Sequence, residues 1–184
     1  MSKADDYIRM IRELADHAAL MALWQRLLRN ETLPGWDEGK AFEYLLLRAF
    51  EIEGAQVTWP YEVKIDAEVI EQIDGAVHLG HVSALVEAKD HEVSLNARPI
   101  AELRDKLQRR PPSVIGMVFS KRGFRPPAWT LARYQAPQRI LLWTGDDITV
   151  SLARRAMGAT LRAKYRYAVE HGFPLVGVGE EENR

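Results

Sequence analysis

Residues Ile70–Glu92 read IEQIDGAVHLGHVSALVEAKDHE, and the way this stretch pairs with itself decides the fold. Runs of strand-forming residues flank Gly80-His81, as in two strands joined by a short turn. Glycine in the first turn position suits a type II′ hairpin, which needs positive φ there. Counting outward from that turn sets Leu79 opposite Val82, His78 opposite Ser83, Val77 opposite Ala84, Ala76 opposite Leu85, Gly75 opposite Val86 and Asp74 opposite Glu87. Opposed residues share a face. One side is then apolar, with Val77, Leu79, Val82, Ala84, Val86 and Ala88, while Asp74, His78, Ser83, Glu87 and Lys89 gather on the other.

Directly opposed Cβ atoms lie roughly 4.5–5.5 Å apart. Two carboxylates that close repel, so either one pKa rises or a cation sits between them. A divalent metal meets that demand. The chain has no cysteine and no paired-histidine spacing, so oxygen ligation points to Mg²⁺, with Mn²⁺ as a possible substitute, rather than to zinc. Lys89, two residues after Glu87, projects from the same face and can set its ammonium beside an attacking water or a scissile phosphate. The alternative is an ordinary surface hairpin. A second Glu-x-Lys triplet occurs at Glu62-Val63-Lys64, with no aspartate placed to face it.

Before the hairpin, Ala4 to Leu28 has the spacing of one amphipathic helix, ending at the breaker-rich RNETLPG. A second helix is predicted from Asp37 as N-cap to Gly54 as stop. Its buried stripe is Phe42, Leu45, Leu46, Ala49 and Phe50, and Glu43 lies awkwardly beside it. A carboxylate there costs free energy unless it turns outward or finds a partner such as Lys40 or Arg48. Strand signals cover AQVTWPYEVKI, VIEQIDGAVHL and VSALVEAK. After them come a helix near Ala97–Arg110, a buried strand in SVIGMVFS, a helix opening at RPPAWTLARY and a strand in RILLWT. This order predicts an α/β fold with a mixed central sheet flanked by helices. A last basic helix over about Val150–Glu170 and a mobile GEEENR tail complete the reading.

At 184 residues the chain suits one domain with a sizeable core. The absence of cysteine excludes disulfides and thiol chemistry. The amino terminus resembles neither a signal peptide nor a membrane span, so a cytoplasmic protein without membrane contact is expected. The net charge of -1 conceals a division. Met1–Ala88 carries 8 basic and 16 acidic residues, Lys89–Arg139 carries 11 and 4, and Ile140–Arg184 carries 6 of each. The middle section is therefore the candidate anion-binding part, unless its charges are simply solvated on helix faces.

Together these motifs resemble the PD-(D/E)xK, or restriction-endonuclease-like, superfamily, and within it the Mrr-like group. GKAFEYLLLRAF is similar to the family's helix, with Glu43 in the glutamate position. QIDGAV places Asp74 in the aspartate position, and LVEAKD places Glu87 and Lys89 in the Glu-x-Lys positions. GMVFSKRGFRPPAW followed by RILLWTGDDI is similar to the family's later strand, loop, helix and strand. Ile73 stands where the motif's name has proline, and the Mrr-like glycine-rich approach to the aspartate is missing.

The resemblance implies a restriction-endonuclease-like core in α-β-β-β-α-β order over residues 37–152. A helical extension (1–36) precedes it, and a basic helix with its tail (153–184) follows. It further implies Mg²⁺-dependent endonuclease action on DNA, with Asp74 and Glu87 holding the metal, Glu43 as an outer or second-metal ligand, and Lys89 assisting catalysis. Arg98, Lys121, Arg122 and Arg125 become candidate DNA contacts, with Arg104, Lys106 and Arg109 as further basic residues near the site. His78 shares the Asp74 face, whereas His81 is expected to be exposed and His91 lies just beyond Lys89. A homodimer is a family expectation, and a regulatory partner is left open. Readings from other classes are an inactive DNA-binding or assembly module, a repair or RNA nuclease, and a structural protein with chance motifs.

Overall fold

A computed structural model describes residues 2–134, 140–174 and 177. The central sheet has the strand order β1-β4-β5-β6-β7: β1 (Gln56–Thr58), β4 (Gly75–Leu79), β5 (Val82–Lys89), β6 (Val114–Ser120) and β7 (Ile140–Trp143). β1, β4 and β5 pair antiparallel, whereas β5, β6 and β7 run parallel. The protein is thus α/β with a mixed sheet. The parallel strands form continuous apolar runs because helices cover both of their faces.

The β4–β5 register is the one counted from the turn: Leu79 faces Val82, His78 faces Ser83 and Gly75 faces Val86. Gly80 has φ 60° and His81 is not left-handed, as a type II′ turn requires. Of the apolar side, Val77, Ala84, Val86 and Ala88 are buried against α3 (Lys40–Ile52) and its neighbours, with Leu79 and Val82 partly buried beside them. Ala76 and Leu85 on the opposite face join a second core with Ile100, Leu103 and Leu107 of α4 (Arg98–Gln108) and with Ala128 and Ala132 of α5 (Pro126–Tyr134). The face expected to be polar is therefore largely a second buried face.

Several expected elements divide. The single helix over Ala4–Leu28 is two, α1 (Lys3–Arg12) and α2 (His17–Leu28). Asp16 takes an extended conformation and accepts from the Ala19 N–H, so a local cap competes successfully with helix continuation. Asp37 does not cap α3. Its carboxylate binds Lys3 at 2.7 Å, and Gly39 fills the N-cap position instead.

The three expected strands become five. β2 (Tyr61–Ile65) and β3 (Glu68–Ile73) form a separate two-stranded ribbon, and the predicted run through Leu79 breaks at Asp74. The duplicate triplet Glu62-Val63-Lys64 lies on this ribbon, where Glu62 faces Gln72 and Lys64 faces Val69. No aspartate opposes it.

The final helix is likewise two, α6 (Gly145–Arg154) and α7 (Met157–His171). Thr144 and Asp147 form a capping box at the start of α6, and Arg155 adopts a left-handed conformation between the helices. Residues 179–184, the GEEENR tail, lie outside the described residues. α1 and α2 share one core with α3 and the sheet through Ile11, Leu20, Trp24 and Leu27. Among the described residues, no helix is long and apolar enough to cross a membrane.

Candidate active site

The ends of β4 and β5 opposite the hairpin turn carry the charged residues. The break between β3 and β4 is enforced at Gly75, whose φ is 152°. A Cβ there would stand 2.7 Å from both Leu47 methyl carbons and 3.0 Å from the Thr58 carbonyl oxygen. Released from the ladder, Asp74 turns its carboxylate so that Oδ2 accepts the Ala88 backbone N–H at 2.9 Å. That bond holds Asp74 beside Glu87, which is only 3% exposed.

Lys89 lies between the two. Its Nζ is 2.5 Å from Glu87 Oε1 and 3.7 Å from Asp74 Oδ2. Burial and the nearby Glu87 charge push the Asp74 carboxyl above the usual carboxylate range, against the opposing pull of Lys89, the Ala88 N–H and Lys106. Burial disfavours the Lys89 ammonium, but the charges of Asp74, Glu87 and Glu43 outweigh it and raise its pKa. Three of the expected site residues thus meet, with an ammonium offsetting two close carboxylates.

Glu43 enters from α3. It is buried and chelated by Lys40, whose Nζ is 3.0 and 2.7 Å from its two oxygens. Burial first, and then the Asp74 charge, push its carboxyl up to about 7, although Lys40 and Lys89 act the other way. Glu43 therefore senses the site electrostatically. Among the described residues, no group of three Asp, Glu or His side chains gathers as a ready metal cluster.

The basic residues separate into two groups. Lys121, expected to face a phosphate, is buried: it pairs with Asp90 and donates to the Leu27 carbonyl at 3.2 Å and to Asn30 Oδ1 at 2.8 Å. It anchors the end of α2 to the strand end beyond Lys89, which corrects its expected exposure. Arg122 is exposed and donates to the Leu28 carbonyl at 3.0 Å. Arg98 is exposed and paired with Glu102 at 2.7 Å.

A cavity of about 360 Å³ opens beside Lys89 and is lined in part by His91, Ser94, Asn96, Arg98 and Arg125. It forms because the segment after β5 is stitched to the loop after β6. Leu95 N–H donates to Gly123 O at 2.9 Å, and Arg125 N–H donates to Leu95 O at 2.8 Å. His91 is exposed on this wall. His78 instead bonds Ser83 Oγ at 2.9 Å near the far end of the hairpin, with His81 exposed at the turn.

Sequence reasoning missed the contact made by Lys106. Its Nζ is 2.7 Å from Glu87 Oε2, so it stands against a carboxylate of the candidate site. The available signal was its place one turn after Leu103, on the α4 stripe that faces the sheet. Arg109, also read as a phosphate contact, pairs with Glu71 together with Arg110.

A mixed sheet bearing an aspartate at one strand end and Glu-x-Lys on the adjoining strand defines a protein of the restriction-endonuclease-like class. A family model described as restriction endonuclease, the Mrr catalytic domain, matches residues 37–152, and the chain belongs to that family. No curated protein matches it.

Among solved structures, the chain is similar to AF1548, a protein of unknown function, at 14% identity and a TM-score of 0.44, covering 55% of this chain and 56% of that one. It is similar to the DNA modification-dependent restriction endonuclease AspBHI at 13% identity and a TM-score of 0.48, covering 82% and 40%. The MspJI restriction endonuclease in complex with a 27-mer oligonucleotide gives 19% identity and a TM-score of 0.44, covering 89% and 38%. The chain therefore spans between 38 and 56% of the length of these three structures.

Proposed function

We propose that the protein is a Mg²⁺-dependent endonuclease that hydrolyses phosphodiester bonds in DNA, with Mn²⁺ as a substitute metal. The observation that carries this reading is the meeting of Asp74, Glu87 and Lys89 at one point, with the lysine ammonium 2.5 and 3.7 Å from the two carboxylates. The donor chemistry fits a hard divalent cation. Asp74 and Glu87 present carboxylate oxygens side by side, and the upward push of Glu87 on the Asp74 carboxyl marks a repulsion that a cation relieves.

Asp74 and Glu87 would hold the metal, and Glu43 would join them as an outer or second-metal ligand. When bound, the cation lowers the pKa of a water nucleophile and offsets charge developing on the phosphate. The chain's own groups supply the rest. The Ala88 N–H fixes the Asp74 carboxylate, which holds one ligand in place before substrate arrives. Lys89 turns from its carboxylate partners toward the phosphate, where its charge stabilises the transition state. Arg98 and Arg125, on the wall of the adjoining cavity, contact the DNA backbone, with Arg122 farther along the same loop. Lys121, buried and paired, is not among the contacts.

Supercoiled, linear, single-stranded and methylated DNA are incubated with the protein in Mg²⁺, Mn²⁺ or chelator, beside a Lys89→Ala variant. Metal-dependent cleavage is expected, with Lys89→Ala slower by at least about 10²-fold, as for loss of a group that stabilises transition-state charge. Cleavage by Lys89→Ala near the parent's rate, or cleavage in chelator, refutes the reading.

A further inference from the structure

Glu87 is bound by two lysines. Lys89 holds Oε1 at 2.5 Å, and Lys106 holds Oε2 at 2.7 Å. Lys106 reaches it from α4, whose Leu103 and Leu107 pack down on β6. Gly116 permits that approach, since a Cβ there would meet Leu103 at 2.6 Å. Arg109 and Arg110, which immediately follow that helix, pair with Glu71 of β3. α4 and the turn after it are therefore tied to the strands at two carboxylates, only one of which belongs to the candidate active site.

The charges at the site balance: Asp74 and Glu87 stand against Lys89 and Lys106. A neutral cluster attracts a divalent cation far less than a bare carboxylate pair does. Both lysines are mostly buried, with 26% of the Lys89 side chain and 18% of the Lys106 side chain exposed. Lys89 also borders the cavity lined in part by Arg98 and Arg125, whereas Lys106 reaches Glu87 from α4. Among the ion pairs of the described residues, its ammonium contacts only the Glu87 carboxylate.

We propose that Lys106 is a positioning residue that fixes Glu87 through Oε2 and, by its charge, holds down the divalent-cation affinity of the free protein. The inference rests on the proposed metal site, in which Glu87 is a ligand. A consequence is that tight metal binding awaits the negative charge of a bound phosphodiester, so that cation and substrate favour each other's binding.

The test is a Mn²⁺ titration of the free protein, followed by electron paramagnetic resonance and calorimetry, with no nucleic acid present. The variants are Lys106→Met, Lys106→Gln, Lys106→Arg, Arg110→Met and Asp74→Asn. Lys106→Gln keeps a hydrogen-bond donor for Glu87 without the charge, so it separates electrostatics from any loss of folding in Lys106→Met.

Both neutral variants are expected to bind Mn²⁺ about tenfold more tightly or better, because an ammonium in contact with a ligand oxygen repels the cation through a partly desolvated medium. Lys106→Arg should stay near the parent. Arg110→Met removes one of the two arginines on Glu71 and should leave Mn²⁺ affinity unchanged, whereas Asp74→Asn should abolish binding. If Asp74→Asn abolishes binding but both neutral Lys106 variants bind no more tightly than the parent, the inference falls and the metal site stands. If no protein in the series binds Mn²⁺, the metal-site reading falls and takes the inference with it.

Discussion

Replacing Gly75 by alanine places two costs on the hinge that aims Asp74. The backbone there has φ 152°, which L side chains rarely adopt and which costs on the order of 1–3 kcal/mol for a non-glycine residue. The added Cβ would also stand 2.7 Å from both Leu47 methyl carbons and 3.0 Å from the Thr58 carbonyl oxygen. Leu47 is fully buried in the core, so it can move only by displacing other core atoms, at about 1–3 kcal/mol for such overpacking.

Relief through a small backbone shift makes the combined loss about 3 kcal/mol, which lowers Tm by roughly 6–12 °C in a chain of this size. Gly80→Ala is the control. Its φ is also positive, at 60°, but nothing lies within 4 Å of a new Cβ, so only a conformational cost of about 1–2 kcal/mol applies. Thermal unfolding followed by circular dichroism compares the two. DNA cleavage, measured well below both transitions, should fall in Gly75→Ala alone, because a displaced hinge moves Asp74 off the Ala88 N–H. A Gly75→Ala protein no less stable than Gly80→Ala, and fully active, would refute the reasoning.

Two further outcomes follow from the charges around the site. Lys121→Met should destabilise by about 3–5 kcal/mol, the cost of leaving a buried partner uncompensated; it should also expose residues 29–36 to protease, whereas intact resistance would mean that Asp90 is stably held without it. Glu43 has a folded pKa near 7, above its ordinary 4.5, so the folded state holds the proton more tightly and this group lowers stability as pH rises from about 4.5 through 7. In chelator, Glu43→Gln should flatten that part of the Tm profile, and an unchanged pH slope would show that Glu43 does not titrate there.

The sequence by itself determined the hairpin and what it carries. Strand side chains repeat every two residues, so a turn at Gly80-His81 fixes every opposed pair up to Gly75 and Val86 and brings Asp74 near Glu87 without reference to the rest of the chain. The flanking helices and the buried β6 and β7 were legible for the same local reason. Element ends were less so. Asp16 and Arg155 sit where a local cap or a left-handed residue competes with helix continuation, and Asp37 is drawn away from the start of α3 by Lys3, distant in the chain. Only the tertiary structure decided that Asp74 leaves the ladder at a crowded Gly75, that Lys121 is buried against Asp90 and the end of α2, and that Lys106 closes on Glu87. Each depends on side chains brought together from separate elements, and a periodic pattern carries no record of which long, charged side chain will reach across to which.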